Sequence, residues 1–168
     1  LNPFDFGIIS YLHSQNDILS CGGSVKTISV SQALPFSEGI IESFFMEYFM
    51  KGIKSEAIKD GSIIASGHSY QSKEPGITIT MNGSYEKQIT KSQAQESELI
   101  YLSKPLGTGY LLAAYFNNSE LLSSFDFQKL MIWMKKGNKK ISEISKSFKS
   151  KITTDISGFG LASHLSDI

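Results

Sequence analysis

Residues 4–20 place Phe4, Ile8, Tyr11, Leu12 and Ile18 or Leu19 at near-helical spacing, and Cys21-Gly22-Gly23 stops the pattern. That combination predicts a helix ending at a glycine signal. Val25 to Val30 then alternates branched and polar residues, a strand signature that Pro35 ends. The clearest helix follows. Ser37 is its expected N-cap; Ile40, Ile41, Phe44, Phe45, Tyr48, Phe49, Ile53 and Ala57 form a broad apolar stripe of period 3.6; Asp60-Gly61 closes it. Residues 62–66 predict a buried strand running into Gly67-His68-Ser69, and 76–83 alternate as a further strand.

The order helix, strand, helix, strand, strand predicts a mixed α/β or α+β unit. Residues 85–97 are polar and mark the expected boundary between domains at 1–90 and 91–168. Beyond it, Glu98–Leu102 predicts a short strand, and Gly107-Thr108-Gly109 leads into an apolar helix over 110–116. Helices are expected over 126–136 and 140–150. Thr153-Thr154-Asp155 then enters Gly158-Phe159-Gly160 within a few residues of the end, so a second domain begins here.

Composition narrows the function classes. Forty per cent of the 168 residues are hydrophobic, enough for a core, and wholesale disorder is excluded. No apolar run approaches the roughly 18–20 residues of a membrane span. Sixteen acidic groups balance sixteen basic ones, all of the latter lysine, which argues against a binder of nucleic-acid backbone. The single cysteine, Cys21, excludes an internal disulfide and a multi-cysteine metal site. With no secretory signal, a cytoplasmic setting is expected. A chain opening on Leu1 without Met leads to the expectation of a piece of a longer protein.

Two glycine-containing turns carry candidate chemistry. Lys104-Pro105-Leu106-Gly107-Thr108-Gly109 lies at an expected strand–helix junction, where backbone amides can approach an anion, or where a plain turn stands. Thr154-Asp155-Ile156-Ser157-Gly158-Phe159-Gly160 sets an aspartate before a glycine turn. Asp155 is there either as a ligand for a hard divalent cation or as the N-cap of the next helix. Asp17, in an otherwise apolar helix, is an exposed carboxylate or a site residue. Gly67-His68-Ser69 ends a strand, a common place for functional groups.

Taken in order, these segments resemble the selenophosphate synthetases (selenide, water dikinases), of the aminoimidazole ribonucleotide synthetase-related superfamily. The carrying stretches are Asn2-Pro3-Phe4-Asp5-Phe6-Gly7, Asn16-Asp17-Ile18 with Cys21-Gly22-Gly23, Ser66-Gly67-His68-Ser69, Lys104 to Gly109, and Thr154 to Leu161 with His164-Leu165. The resemblance implies the mixed-sheet N-terminal half of that fold plus the start of its C-terminal α/β domain. It implies formation of selenophosphate from selenide, ATP and water, with release of AMP and phosphate. Asp17 and Asp155 match family aspartates that bind Mg²⁺, Asp17 also lying close to the nucleotide. Gly67, His68 and Ser69 match a segment that contacts ATP across a homodimer interface. The implied partners are ATP, selenide and a second copy of the chain, with no nucleic acid and no membrane.

The family's catalytic Cys or selenocysteine and its partner Lys would lie upstream of residue 1, so no catalytic residue is expected here and the piece alone should be inactive. Cys21 does not substitute, because it falls where the family carries an ordinary apolar residue. Residues 8–21 and the spacing around Pro35 are closer to the form fused to an NADH-dehydrogenase-like flavoprotein module. Two alternatives stay open. One is another ATP-dependent member of the superfamily: aminoimidazole ribonucleotide synthetase, thiamine monophosphate kinase or a hydrogenase-maturation protein. The other is a non-catalytic nucleotide-binding or dimerisation remnant.

Overall fold

The structure is a computed structural model that describes residues 2–36, 39–91, 94–118, 120 and 123–168. Among these residues the elements run α1 (Pro3–Ser20), β1 (Ser24–Pro35), α2 (Gly39–Asp60), β2 (Ile63–Ser72), β3 (Gly76–Ser84), α3 (Thr108–Asn117), α4 (Ser124–Met134), α5 (Lys139–Ser147) and α6 (Gly160–Ser166). The mixed α/β class read from the sequence holds. The chain divides into two compact units, Leu1–Ile89 and Thr90–Ile168. No helix among the described residues is long and apolar enough to cross a membrane.

In the first unit, β1 is the central strand of a three-stranded sheet, order β2-β1-β3, parallel to β2 and antiparallel to β3. The parallel pairing follows from the α2 crossover, since parallel strands need a long connection. β2 and β3 flank β1 on opposite sides, yet only residues 73–75 join them. Pro35 makes this short path possible by ending β1, so that the chain passes beyond its tip; Phe36 N–H then donates to Ser72 O at 3.1 Å.

One face of the sheet packs on α1 and α2. Ile8, Tyr11, Leu12, Val25, Ile28, Val30, Ile53 and Ala57 form the core. The two helices cross in backbone contact. A Cβ on Gly7 would stand 2.3 Å from Phe49 O, and one on Gly52 would stand 2.2 Å from Phe4 O. Tyr11, fully buried, reaches past this core to donate to Asp60 Oδ2 at 3.0 Å, with Ser62 Oγ at 2.8 Å. The phenol thereby ties the middle of α1 to the turn between α2 and β2. Burial, with Asp60 beside it, raises the pKa of Tyr11 well above the usual phenol range.

The expected Ser37 cap lies outside the described residues. Two expectations for this unit change. β2 is not buried: it is an edge strand, exposed along most of its length. The α2 stripe is buried only in its second half, at Phe49, Ile53 and Ala57, while Ile40 is 84% exposed and Ile41 50%. Both departures share a cause. The apolar pattern is present, but the first unit contains no layer to cover that face.

In the second unit, residues 98–102 form no strand. Leu99, Ile100 and Tyr101 are exposed, and among the described residues this unit offers no strand to pair with them. The segment is held instead by Lys151, whose Nζ meets Glu98 Oε1 at 2.7 Å and Gln95 Oε1 at 3.1 Å. Lys104 to Gly109 is therefore a coil-to-helix junction. Tyr115 of α3 stacks on Phe127 of α4 with ring centres 4.3 Å apart.

Candidate functional site

Asp17 lies exposed in the last turn of α1. That end is built by a Schellman cap: Gly22 takes φ +75°, its N–H donates to Leu19 O, and Gly23 N–H donates to Ile18 O at 2.9 Å. A side chain at Gly23 or Gly83 would overlap Ile18, with Cβ only 2.8 Å from Ile18 Cγ2 in each case. These glycines let the α1 terminus seat against the start of β1 and the end of β3. The electrostatics are adverse. The C-terminal end of a helix carries partial negative charge, and α1 has an aspartate there and no basic residue in its last turn. A bound cation would relieve both.

Gly67, His68 and Ser69 do not end the strand as expected: they are exposed in the middle of β2, opposite Val30, Ser31 and Gln32 of β1, because the ladder with β1 continues to Ser72. A Cβ at Gly67 would come within 2.9 Å of Val30 O. The segment borders an open cleft of about 650 Å³ between β2 and α2, lined by Met46, Met50, Lys51, Lys54 and Ile64. Gln32, nearly fully buried, lines it too, and its Oε1 has no hydrogen-bond partner among the described residues.

Asp17 and His68 do not meet within one chain. Asp17 sits by the start of β1 at Ser24, whereas His68 pairs with Ser31. Seven residues of strand separate those positions, roughly 23 Å at the usual rise. Asp17 stands by one end of the sheet and His68 in the middle of its edge strand.

In the second unit, Asp155 is half-buried, and among the described residues its carboxylate makes no hydrogen bond or ion pair. It does not cap α6, whose N-cap is Phe159. Gly160 N–H donates to Ser157 O across the turn, with Gly160 at φ +78°. His164, 7% exposed, reaches back so that its Nε2 accepts the Ser157 N–H at 3.2 Å. Sequence reading noted His164 as part of a motif and gave it no task; the seven-residue return from Ser157 was the available signal. Lys104 is half-buried with its ammonium donating to Lys136 O, and burial together with the Lys136 charge lowers its pKa.

No three His, Cys, Asp or Glu side chains converge among the described residues. A single carboxylate such as that of Asp17 or Asp155 would meet Mg²⁺ only together with phosphate oxygens and water, the usual mode for that cation.

Residues 1–85 match the family described as AIR synthase related protein, N-terminal domain. The selenide, water dikinase of Caldanaerobacter subterraneus subsp. tengcongensis is 30% identical over 165 residues, 97% of this chain and 46% of that protein. The selenide, water dikinase of Photobacterium profundum is also 30% identical, over 99% of this chain and 48% of its own length. The chain thus spans about half the length of the relatives it matches. In three dimensions it is similar to thiamine monophosphate kinase from Aquifex aeolicus, with a TM-score of 0.72 at 19% identity over 87% of this chain and 49% of that one.

Proposed function

Because the chain belongs to the AIR synthase related family, we propose that it is the nucleotide- and metal-binding part of an ATP-dependent phosphotransferase of the selenide, water dikinase kind. The observation that carries this reading is the 30% identity to a selenide, water dikinase along 97% of the chain. In this reading the protein makes selenophosphate from selenide, ATP and water. Asp17 and Asp155 hold Mg²⁺, which neutralises phosphate charge as it develops. Gly67, His68 and Ser69, in the middle of the edge strand β2, contact the nucleotide through backbone amides and side chains. The domain division at 1–90 and 91–168 belongs to the same proposal.

The placement of Asp17 and His68 favours a site completed by a second copy. One sheet holds them well apart, and a two-fold axis can set the Asp17 position of one subunit beside the His68 position of its partner. The exposed first half of α2 and the exposed β2 are the surfaces that such pairing would cover.

Calorimetry with Mg²⁺ and ATP tests the assignment. Mg²⁺ and ATP should bind more tightly together than either alone, and Asp17→Asn or Asp155→Asn should reduce that coupling by about 1–3 kcal/mol. Glu74→Asn, on the exposed turn after β2, should leave it unchanged. Equal coupling in wild type and both aspartate variants sinks the assignment. Selenide-dependent AMP release by a full-length protein carrying this segment tests the acceptor, and ATP consumption with some other acceptor in place of selenide would move the reading to a different member of the family.

A further inference from the structure

We propose that His164 is a positioning residue for Asp155: its Nε2 holds the turn that presents the carboxylate, and that task keeps its ring in the Nδ1–H tautomer. The inference rests on the reading of Asp155 as a metal ligand.

The first step concerns which nitrogen carries the proton. A backbone N–H only donates. Ser157 N lies 3.2 Å from His164 Nε2, so Nε2 is the accepting nitrogen and bears no hydrogen. The ring proton then belongs to Nδ1, which is buried and has no hydrogen-bond partner among the described residues. Burying an unsatisfied donor is unfavourable. The opposite tautomer would bring two N–H groups face to face, which is worse. The Ser157 hydroxyl, 3.3 Å from the same nitrogen, can donate to it as well and reinforces this assignment.

The second step concerns what the bond fixes. Ser157 is two residues after Asp155 and opens the turn closed by the Gly160 N–H to Ser157 O bond. His164 lies within α6, so its ring joins the start of the turn to the helix that follows, and Phe159 packs edge-on against it with ring centres 6.3 Å apart. The backbone is thereby held on both sides of the glycines. The Asp155 carboxylate is left without a protein partner of its own among the described residues. Its direction is therefore set by the backbone that His164 holds. A carboxylate that must meet a cation at a fixed place needs such outer support, and loss of comparable support to metal ligands costs about 10–100-fold in affinity.

The test uses the whole chain labelled with ¹⁵N. Long-range proton–nitrogen correlation should show the His164 ring with a protonated Nδ1 and a bare Nε2, and the Ser157 amide should exchange slowly with solvent. In calorimetry with Mg²⁺ and ATP, His164→Leu should weaken binding at least tenfold. His164→Gln, whose side-chain oxygen can reach the place of Nε2, should stay within about threefold of wild type and keep the Ser157 amide protected. An Nε2–H ring in the wild type overturns the proposal, as does unchanged binding in His164→Leu or failure of Gln to rescue. Should the Leu variant not fold, the tautomer and the Gln variant decide. If Asp155→Asn leaves Mg²⁺–ATP binding untouched, the metal-ligand reading falls and the positioning role with it. If Asp155→Asn weakens binding but the ring proves to be Nε2–H, only the positioning role falls.

Discussion

Asp17 adds a negative charge to the negative end of α1, and replacing it should affect fold and function with opposite sign. Asp17→Asn is expected to raise stability by about 0.3–1 kcal/mol through relief at the helix end, while it lowers Mg²⁺–ATP coupling. Urea denaturation beside calorimetry checks the pair of signs. Tyr11 is the contrasting case, a polar group whose work is wholly structural. Tyr11→Phe strips the buried hydroxyl from Asp60 and Ser62 and should cost about 1–3 kcal/mol in denaturant unfolding. Its pH signature has a definite sign. The folded pKa lies above the ordinary value of 10.0, so the folded chain holds its proton longer than the unfolded chain does. The associated stability is present below about pH 10 and is lost as pH rises further. Wild type should lose stability above pH 10 more steeply than Tyr11→Phe.

At the level of elements, one substitution made at three glycines separates packing from propensity. Gly7→Ala and Gly52→Ala insert a methyl into backbone of the facing helix, a clash no rotamer relieves, and each should cost about 1–3 kcal/mol or more. Gly109→Ala, in α3 with nothing within 4 Å of the new Cβ, should gain up to about 1 kcal/mol from helix propensity. Thermal melts of the three variants give the test. The elements of the first unit were legible in the sequence because their signals are local: the glycine cap after α1, the alternation of β1 and β3, Pro35 at the strand end. The Ile63-Ile64 pair and the run Leu99-Ile100-Tyr101-Leu102 misled, for a common reason. An apolar segment says that it requires cover, and says nothing of what covers it. β2 found a ladder on one edge only, and 98–102 found none. The chemistry divides in the same way. Asp17, His68 and Asp155 stood out in the sequence only as candidates, each with a plain structural alternative, whereas the separation of Asp17 from His68 depends on the register of β2 on β1, which no local pattern carries.

For the molecule as a whole, that register leads to a test by mixing. If each site takes Asp17 from one copy and Gly67-His68-Ser69 from another, Asp17→Asn and His68→Ala proteins should each bind Mg²⁺–ATP poorly. Equilibrated together, they should recover about a quarter of the wild-type sites, because half the random dimers are mixed and each holds one intact site. Absence of recovery, or a clean monomer in sedimentation at tens of micromolar, would count against the shared site. Ile40→Lys, on the exposed start of α2, should weaken self-association if that face is covered by the second copy.

The central place of β1 also bears on how the chain is made. β1 leaves the ribosome before either of its neighbours, and both of its edges stay open until β2 and then β3 have followed. Some fifty residues separate the end of β1 from the end of β3, which at ordinary rates of synthesis is a wait of about 2–10 seconds. At the start of that interval only α1 can shield the apolar face of the nascent strand, and α2 joins it once residues 39–60 have emerged. A slow codon or a pause between residues 36 and 84 would lengthen the exposure, and the yield of assembled protein should fall with it.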